Sequence, residues 1–369
     1  MDAAPFRFDH VGSLLRPVRL QEARARAMEG KCSADELRAV EDDCIREVVR
    51  RQEEVGLDAV TDGEYRRTFF HTDFLQRLGG VTIEEGEFKA AFRKDDGTTV
   101  GFKPPTMHIT GKITHDEPIQ GRDFDFLKAA TTRTPKVTIP SPSMLHFRGG
   151  RKAIDEAVYP SLDDFYADLS AAYADEIADL ADRGCRYLQM DDTNLAYLCD
   201  DAIRESTRAR GDDPDELTHT YCRLFNEAIK SRPADMKVCV HLCRGNFKSA
   251  WVAQGGYEPV AEILFNEMNI DGFFLEYDDQ RSGDFAPLRF VPKGKRVVLG
   301  LMTTKHPELE SKADLERRIE EAAKYVPLDQ LCVSPQCGFS STAHGNDLTE
   351  SDQWRKLALL KEVAEEVWG

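Results

Sequence analysis

Eight short β-rich runs spread along 369 residues, most of them followed by a helical stretch, predict an α/β fold. Their number and alternation specify a (β/α)8 TIM barrel with a β-hairpin insertion after strand 2. A doubly wound sheet competes with this reading, but it usually carries a glycine-rich phosphate turn. Neither GxGxxG nor GxxxxGK[ST] occurs in the chain. The expected organisation is one catalytic barrel over residues 1–369, with the insertion at about 79–125.

The first run covers residues 6–13. Ser33 then stands as the N-cap of a long helix running through Ala39, Ile45 and Val48 to Val55. The second run covers residues 57–64. Between Gly79 and Asp125 the character changes: residues 81–83, 98–102 and 107–110 read as hairpin strands around Asp95-Asp96-Gly97. The third run, residues 136–143, precedes a helix from about Ser161 to Arg183, with Phe165, Leu169, Ala172, Ile177 and Leu180 at helical spacing. The fourth run is residues 185–192. Helix signals between Asp213 and Ser231 lead to the fifth, residues 237–247. A helical segment from Glu258 to Met268 precedes the sixth, residues 272–279, and the seventh spans 295–304. Ser311 and Asp314 then open a helix towards Lys324 as a capping box. The eighth run is residues 331–338. Thr349 caps a final amphipathic helix carrying Trp354, Leu357, Leu360 and Val363.

Composition narrows the function. A net charge of −17 argues against nucleic acid or an anionic membrane as partner, since both need basic patches. Residues 1–8 lack a basic segment followed by an apolar one, and no apolar run approaches the roughly 18 residues that span a bilayer. A cytoplasmic protein is expected, and a homo-oligomer is compatible with the sequence. Nine cysteines at irregular spacings fit reduced thiols better than a disulfide frame. Cys44, Cys185, Cys199, Cys222, Cys239 and Cys332 are expected as small buried hydrophobes.

In a barrel the chemistry sits at the carboxyl ends of the strands. Those ends carry Ser13; Asp62 and Glu64; Ser141 and Ser143; Asp191 and Asp192; His241 and Cys243; Glu276; Thr303 to Lys305; and Cys337. A strand has a side-chain period of two, so His241 and Cys243 point the same way. With Cys337 they form a Cys2His set suited to zinc, leaving a fourth position for water or substrate. Glu276 could hold that position until a substrate displaces it. Ligands so far apart in sequence suit an open catalytic site better than a closed structural one. Two thiolates make zinc a poor activator of water. They suit it to hold a substrate thiol as thiolate, which points to alkyl transfer onto sulfur. Other residues have two readings. His10 is a substrate contact or a hydrogen-bonded loop residue. Arg16, Arg66 and Arg67 line the pocket mouth or are surface charges. Ser141 and Ser143 wall a donor site or make a rigid turn between prolines. Trp354 and Trp368 belong to a terminal helix face.

His241-Leu242-Cys243 with Asn246-Phe247, Glu276, residues 335–338, residues 189–191 and Gly12-Ser13 occur in an order that resembles one family. It is the cobalamin-independent methionine synthases, specifically their catalytic C-terminal barrel, within the uroporphyrinogen decarboxylase/methionine synthase-like superfamily. The resemblance implies zinc (Zn2+) bound by His241, Cys243, Glu276 and Cys337. It implies Ser13, Glu64 and Asp191 around the amino-acid group of homocysteine, and a general-acid histidine after the seventh strand, where His306 lies nearest. The implied activity is a zinc-dependent methyltransferase forming methionine from homocysteine. Its donor would be of the 5-methyltetrahydrofolate type, as in 5-methyltetrahydropteroyltriglutamate-homocysteine methyltransferase, or a corrinoid protein. The chain departs from the pattern at Arg244-Gly245, and 369 residues leave no room for the family's second, N-terminal barrel. An epoxyalkane:coenzyme M transferase is the alternative zinc thiol alkyltransferase. Its sulfonate thiol would call for arginines rather than Glu64 and Asp191. A zinc-stabilised binding or structural protein is the reading from another class.

Overall fold

The computed structural model describes residues 4–84, 90–94, 96–102 and 105–369. Its helices begin where the sequence supplies a cap. Ser33 accepts the Glu36 amide while Glu36 reaches back to the Ser33 amide, a complete capping box for the Ala34–Val55 helix. Thr349 and Asp352 repeat the device at Glu350–Trp368. Ser311 caps Lys312–Ala322 by accepting the Asp314 amide, one half of the expected box; Ser161 caps Leu162–Asp182, and Asp213 with Pro214 starts Pro214–Ile229.

The fold is mixed α/β, and six strands form its central parallel sheet. In sheet order these are β7 (Val137–Pro140), β8 (Tyr187–Asp192), β9 (Lys237–Leu242), β10 (Gly272–Glu276), β11 (Arg296–Met302) and β12 (Leu331–Pro335). They carry the third to eighth predicted runs, in sequence order. The second run supplies β1 (Ala59–Val60), parallel to β6 (Thr134–Pro135) just before β7. The first run forms no strand, only a parallel bridge from Phe8 to Val333. Its residues have other uses. The Asp9 carboxylate accepts the amides of Phe6 and His10, and Gly12 sits at φ 141°, where a ladder cannot continue.

Between β1 and β6 the chain forms two antiparallel pairs. They are β2 (Gly79–Glu84) with β5 (Thr106–Thr114), and β3 (Ala90–Arg93) with β4 (Thr99–Phe102). The expected strands map onto β2, β4 and β5, whereas β3 was not anticipated. Asp95 of the expected turn lies outside the described residues.

The strands of the parallel sheet are almost wholly buried, as parallel strands covered on both faces must be. One small cluster stands apart from the main core. It joins Val11, Ala59, Tyr187, Cys239, Phe274, Val298 and Cys332, one residue from each of the eight runs except the third. The third run adds Lys136, whose ammonium lies 4.1 Å from the Phe274 ring centroid. The ammonium is fully buried and pairs with Asp9 at 3.1 Å, and the Tyr187 hydroxyl donates to the other Asp9 oxygen. Removing one partner of such a pair strands a buried charge. Lys136→Ala is therefore expected to cost about 3–5 kcal/mol in urea unfolding; a loss below about 1 kcal/mol would show that Asp9 does not need it.

Candidate active site

The site begins with strand register. Asp191 on β8 pairs with His241 on β9, and His241 with Phe274 on β10. The ladder runs one step past β9, where the Cys243 amide donates to Asp192 O at 3.2 Å, so Cys243 keeps the strand alternation and shares the face of His241. Cys337 arrives from the loop after β12. The ligating atoms of His241, Cys243 and Cys337 all lie within 4.8 Å of one another, and all three residues are buried.

The two sulfurs are 3.4 Å apart and not bonded as a disulfide. In a tetrahedral zinc site with bonds of about 2.3 Å the corresponding edge is about 3.8 Å, so small side-chain movements would seat both. Neither ring nitrogen of His241 has a hydrogen-bond partner although both are buried, which leaves the imidazole able to ligate. The hydrogen bond between the thiols raises the Cys243 pKa and lowers that of Cys337, which His241 lowers further. This donor set suits a soft divalent cation, which would take the remaining protons off the sulfurs.

Glu276 is not one of the converging three. Its carboxylate accepts the Arg244 amide at 2.7 Å and Arg281 at 2.9 Å, and meets Lys305 at 3.4 Å. Burial alone would raise its pKa, but Lys305, Arg281 and Arg244 overcome that and hold it at about 2. Arg244, fully buried, also bonds Gly255 O and the Tyr257 hydroxyl. The residue that departs from the expected motif thus ties the loop after β9 to the end of β10.

A cavity of about 610 Å³ opens onto the triad, and Ser13, Glu64 and Asp191 line it together with His241, Cys243 and Cys337. Two glycines make the fit. A Cβ on Gly12 would overlap a Glu64 carboxylate oxygen, and one on Gly338 would overlap Ser13 Oγ. Glu64 itself is left-handed at φ 56°, a strained geometry for a non-glycine residue, held by its amide bond to Asp62 and an ion pair with Arg67. Burial, then the Glu64 charge, push the Asp191 pKa up to about 7 against the pull of His241.

His306 is exposed and does not line the cavity, which gives no support to a general-acid role there. His10 is buried beside Lys136, and its pKa is lowered to about 4 by burial and that charge. Arg16 is a buried clamp on Ser340, Glu64 O and Arg67 O, and Arg66 pairs with Glu41 and Asp42. Of the three arginines weighed, only Arg67 lines the cavity. Ser141 and Ser143 both donate to Asp192 at 2.5 Å, bracing the end of β8. The sequence reading missed the upper wall, with Phe70, His71, Phe92, Phe147, Arg148 and Tyr197. Phe92 lies on β3, Phe147 and Tyr197 each end a four-residue helix, and the others lie in connections, all outside the parallel sheet and in elements too short to show a period.

The family described as "Cobalamin-independent synthase, Catalytic domain" matches residues 8–365. The chain belongs to this family. The Bacillus subtilis protein YxjH, an uncharacterized protein, is 47% identical, over 99% of this chain and 95% of its own length. A 5-methyltetrahydropteroyltriglutamate–homocysteine methyltransferase of Thermotoga is 21% identical over 96% of this chain, which spans only 44% of that enzyme. Among solved structures, a putative vitamin-B12 independent methionine synthase from Listeria monocytogenes superposes with a TM-score of 0.80 at 40% identity, covering 100% of both chains. A B12-independent methionine synthase from Shewanella, solved with selenomethionine, shares the fold with a TM-score of 0.71 at 20% identity, over 98% of this chain and 97% of its own.

The close approach of Gly338 to Ser13 can be tested directly. Gly338→Ala should lower stability by about 1–3 kcal/mol, the cost of overpacking a filled site. An unchanged urea midpoint would mean that Ser13 is free to move away.

Proposed function

We propose that this chain is a cytoplasmic, zinc-dependent methyltransferase that methylates the thiol of homocysteine to give methionine. The observation that carries the proposal is the convergence of two thiols and an unpartnered imidazole on one cavity with Ser13, Glu64 and Asp191. We read the fold as one (β/α)8 barrel over residues 1–369, with 79–125 as an inserted pair of hairpins. The layer of residues from seven of the eight runs, which includes Val11 and Ala59, supports closure of the sheet on itself. No helix among the described residues is long and apolar enough to cross a membrane, and paired free thiols fit a reducing compartment.

His241, Cys243 and Cys337 would hold the metal, with Glu276 as a fourth, displaceable ligand. Zinc bound by two thiolates would lower the pKa of a substrate thiol while leaving the sulfur nucleophilic. Glu64 and Asp191 would bind the substrate ammonium, and Asp191 would be drawn into its charged form by that cation. The backbone around Ser13 would face the substrate carboxylate. Glu276 has Arg281, Lys305 and the Arg244 amide waiting for it whenever a thiol takes its place. The methyl donor would be of the 5-methyltetrahydrofolate type and would enter through the aromatic upper wall. The two carboxylates favour an amino acid over the sulfonate thiol of an epoxyalkane:coenzyme M transferase.

The purified protein should hold one zinc per chain and form methionine from homocysteine and 5-methyltetrahydrofolate. Cys243→Ser should lose both metal and turnover. Full activity in that variant would end the proposal. Glu64→Gln should keep its zinc while the homocysteine KM rises about tenfold, roughly 1.4 kcal/mol of lost ion pairing. An unchanged KM would remove Glu64 from the ammonium site.

A further inference from the structure

Three arginines line the cavity, and two have carboxylate partners. Arg67 pairs with Glu64, and Arg210 with Asp212 at 2.6 Å. Arg148 has none among the described residues. Its guanidinium meets His71 Nε2 at 2.9 Å. Arginine has no lone pair to accept with, so Nε2 must be the acceptor and the imidazole is neutral. Burial, with the charges of Arg148 and Arg67, keeps His71 well below its ordinary pKa. The pair therefore carries an uncompensated positive charge. Arg148 is encircled by protein, yet it keeps exposed surface because it borders the cavity.

A guanidinium that borders a cavity with no carboxylate partner is free to take one, and its planar fork of donors matches a carboxylate. The surrounding wall is apolar. Phe70 packs on His71 at 4.6 Å between ring centroids, and Phe147, Tyr197, Met107 and Met144 line the same space. We propose that Arg148, backed by His71, is the receptor for a carboxylate carried on a flat apolar body, the second substrate of this cavity. The inference rests on the proposed function only in assigning that body to the methyl donor. The anion site itself needs neither metal nor thiol. His71 is a positioning residue, orienting the guanidinium through its own neutral ring.

Benzoate and benzamide, titrated calorimetrically into the full chain, test the assignment. Wild-type protein should bind benzoate at least about tenfold more tightly than benzamide. Arg148→Gln should abolish the preference and Arg148→Lys should retain part of it, both with the wild-type near-UV circular dichroism spectrum. Saturating homocysteine should not displace benzoate. The proposal is overturned if the wild type binds no benzoate, if Arg148→Gln keeps the preference, or if homocysteine competes for the site. Cys243→Ser should bind benzoate like the wild type. A protein that passes these tests without methyl transfer would keep the anion site and lose the metal reading.

Discussion

The site depends on the register of a parallel ladder. With β8, β9 and β10 in step, Asp191 and His241 stand side by side, and the next residue on that face of β9 is Cys243. A slip of one residue would turn both potential ligands into the outer core. Everything else at the site supports that placement from outside the strand. Arg244 ties the following loop to Glu276 and Gly255, and Cys337 is brought in by the loop after β12. A buried imidazole with neither nitrogen hydrogen-bonded, set against two thiols that bond each other, is a costly way to fill a protein interior. Their convergence is the observation on which the proposed cation rests.

Charge around the cavity is arranged in layers. Glu276 is buried among Lys305, Arg281 and Arg244, so it is ionised and satisfied away from the triad. Asp191 is half-buried without a full counter-charge, and a pKa pushed up to about 7 leaves it able to gain a positive partner. Arg148 presents the opposite need at the upper wall. Among the described residues, a chain of net charge −17 thus keeps a cation without a carboxylate partner and a poorly matched carboxylate facing one open cavity. That suits ligands carrying both signs, and it is hard to reconcile with a purely structural metal site.

The sequence made some features legible and hid others for physical reasons. Ser33, Ser311 and Thr349 could be read as caps because capping is a local exchange between a side chain and the next turn. His241 and Cys243 could be read because a strand has a strict period. Cys337 was found by its strand end and motif, although it lies 94 residues from Cys243. The strand predicted in the first run failed because Asp9 and Gly12 use that backbone for side-chain bonds and a turn. The ion pairs of Glu276 and the isolation of Arg148 were invisible, since each depends on which loops meet above the sheet. His306 illustrates the same limit, being near the expected place in sequence but exposed in the fold.

X-ray absorption at the zinc edge, with and without homocysteine, tests the central claim most directly. The account predicts two sulfurs, one imidazole nitrogen and one oxygen around zinc in the resting protein, and a third sulfur replacing the oxygen when homocysteine is added. An unchanged shell on adding homocysteine, or a resting shell already closed by protein ligands that no thiol displaces, would contradict it.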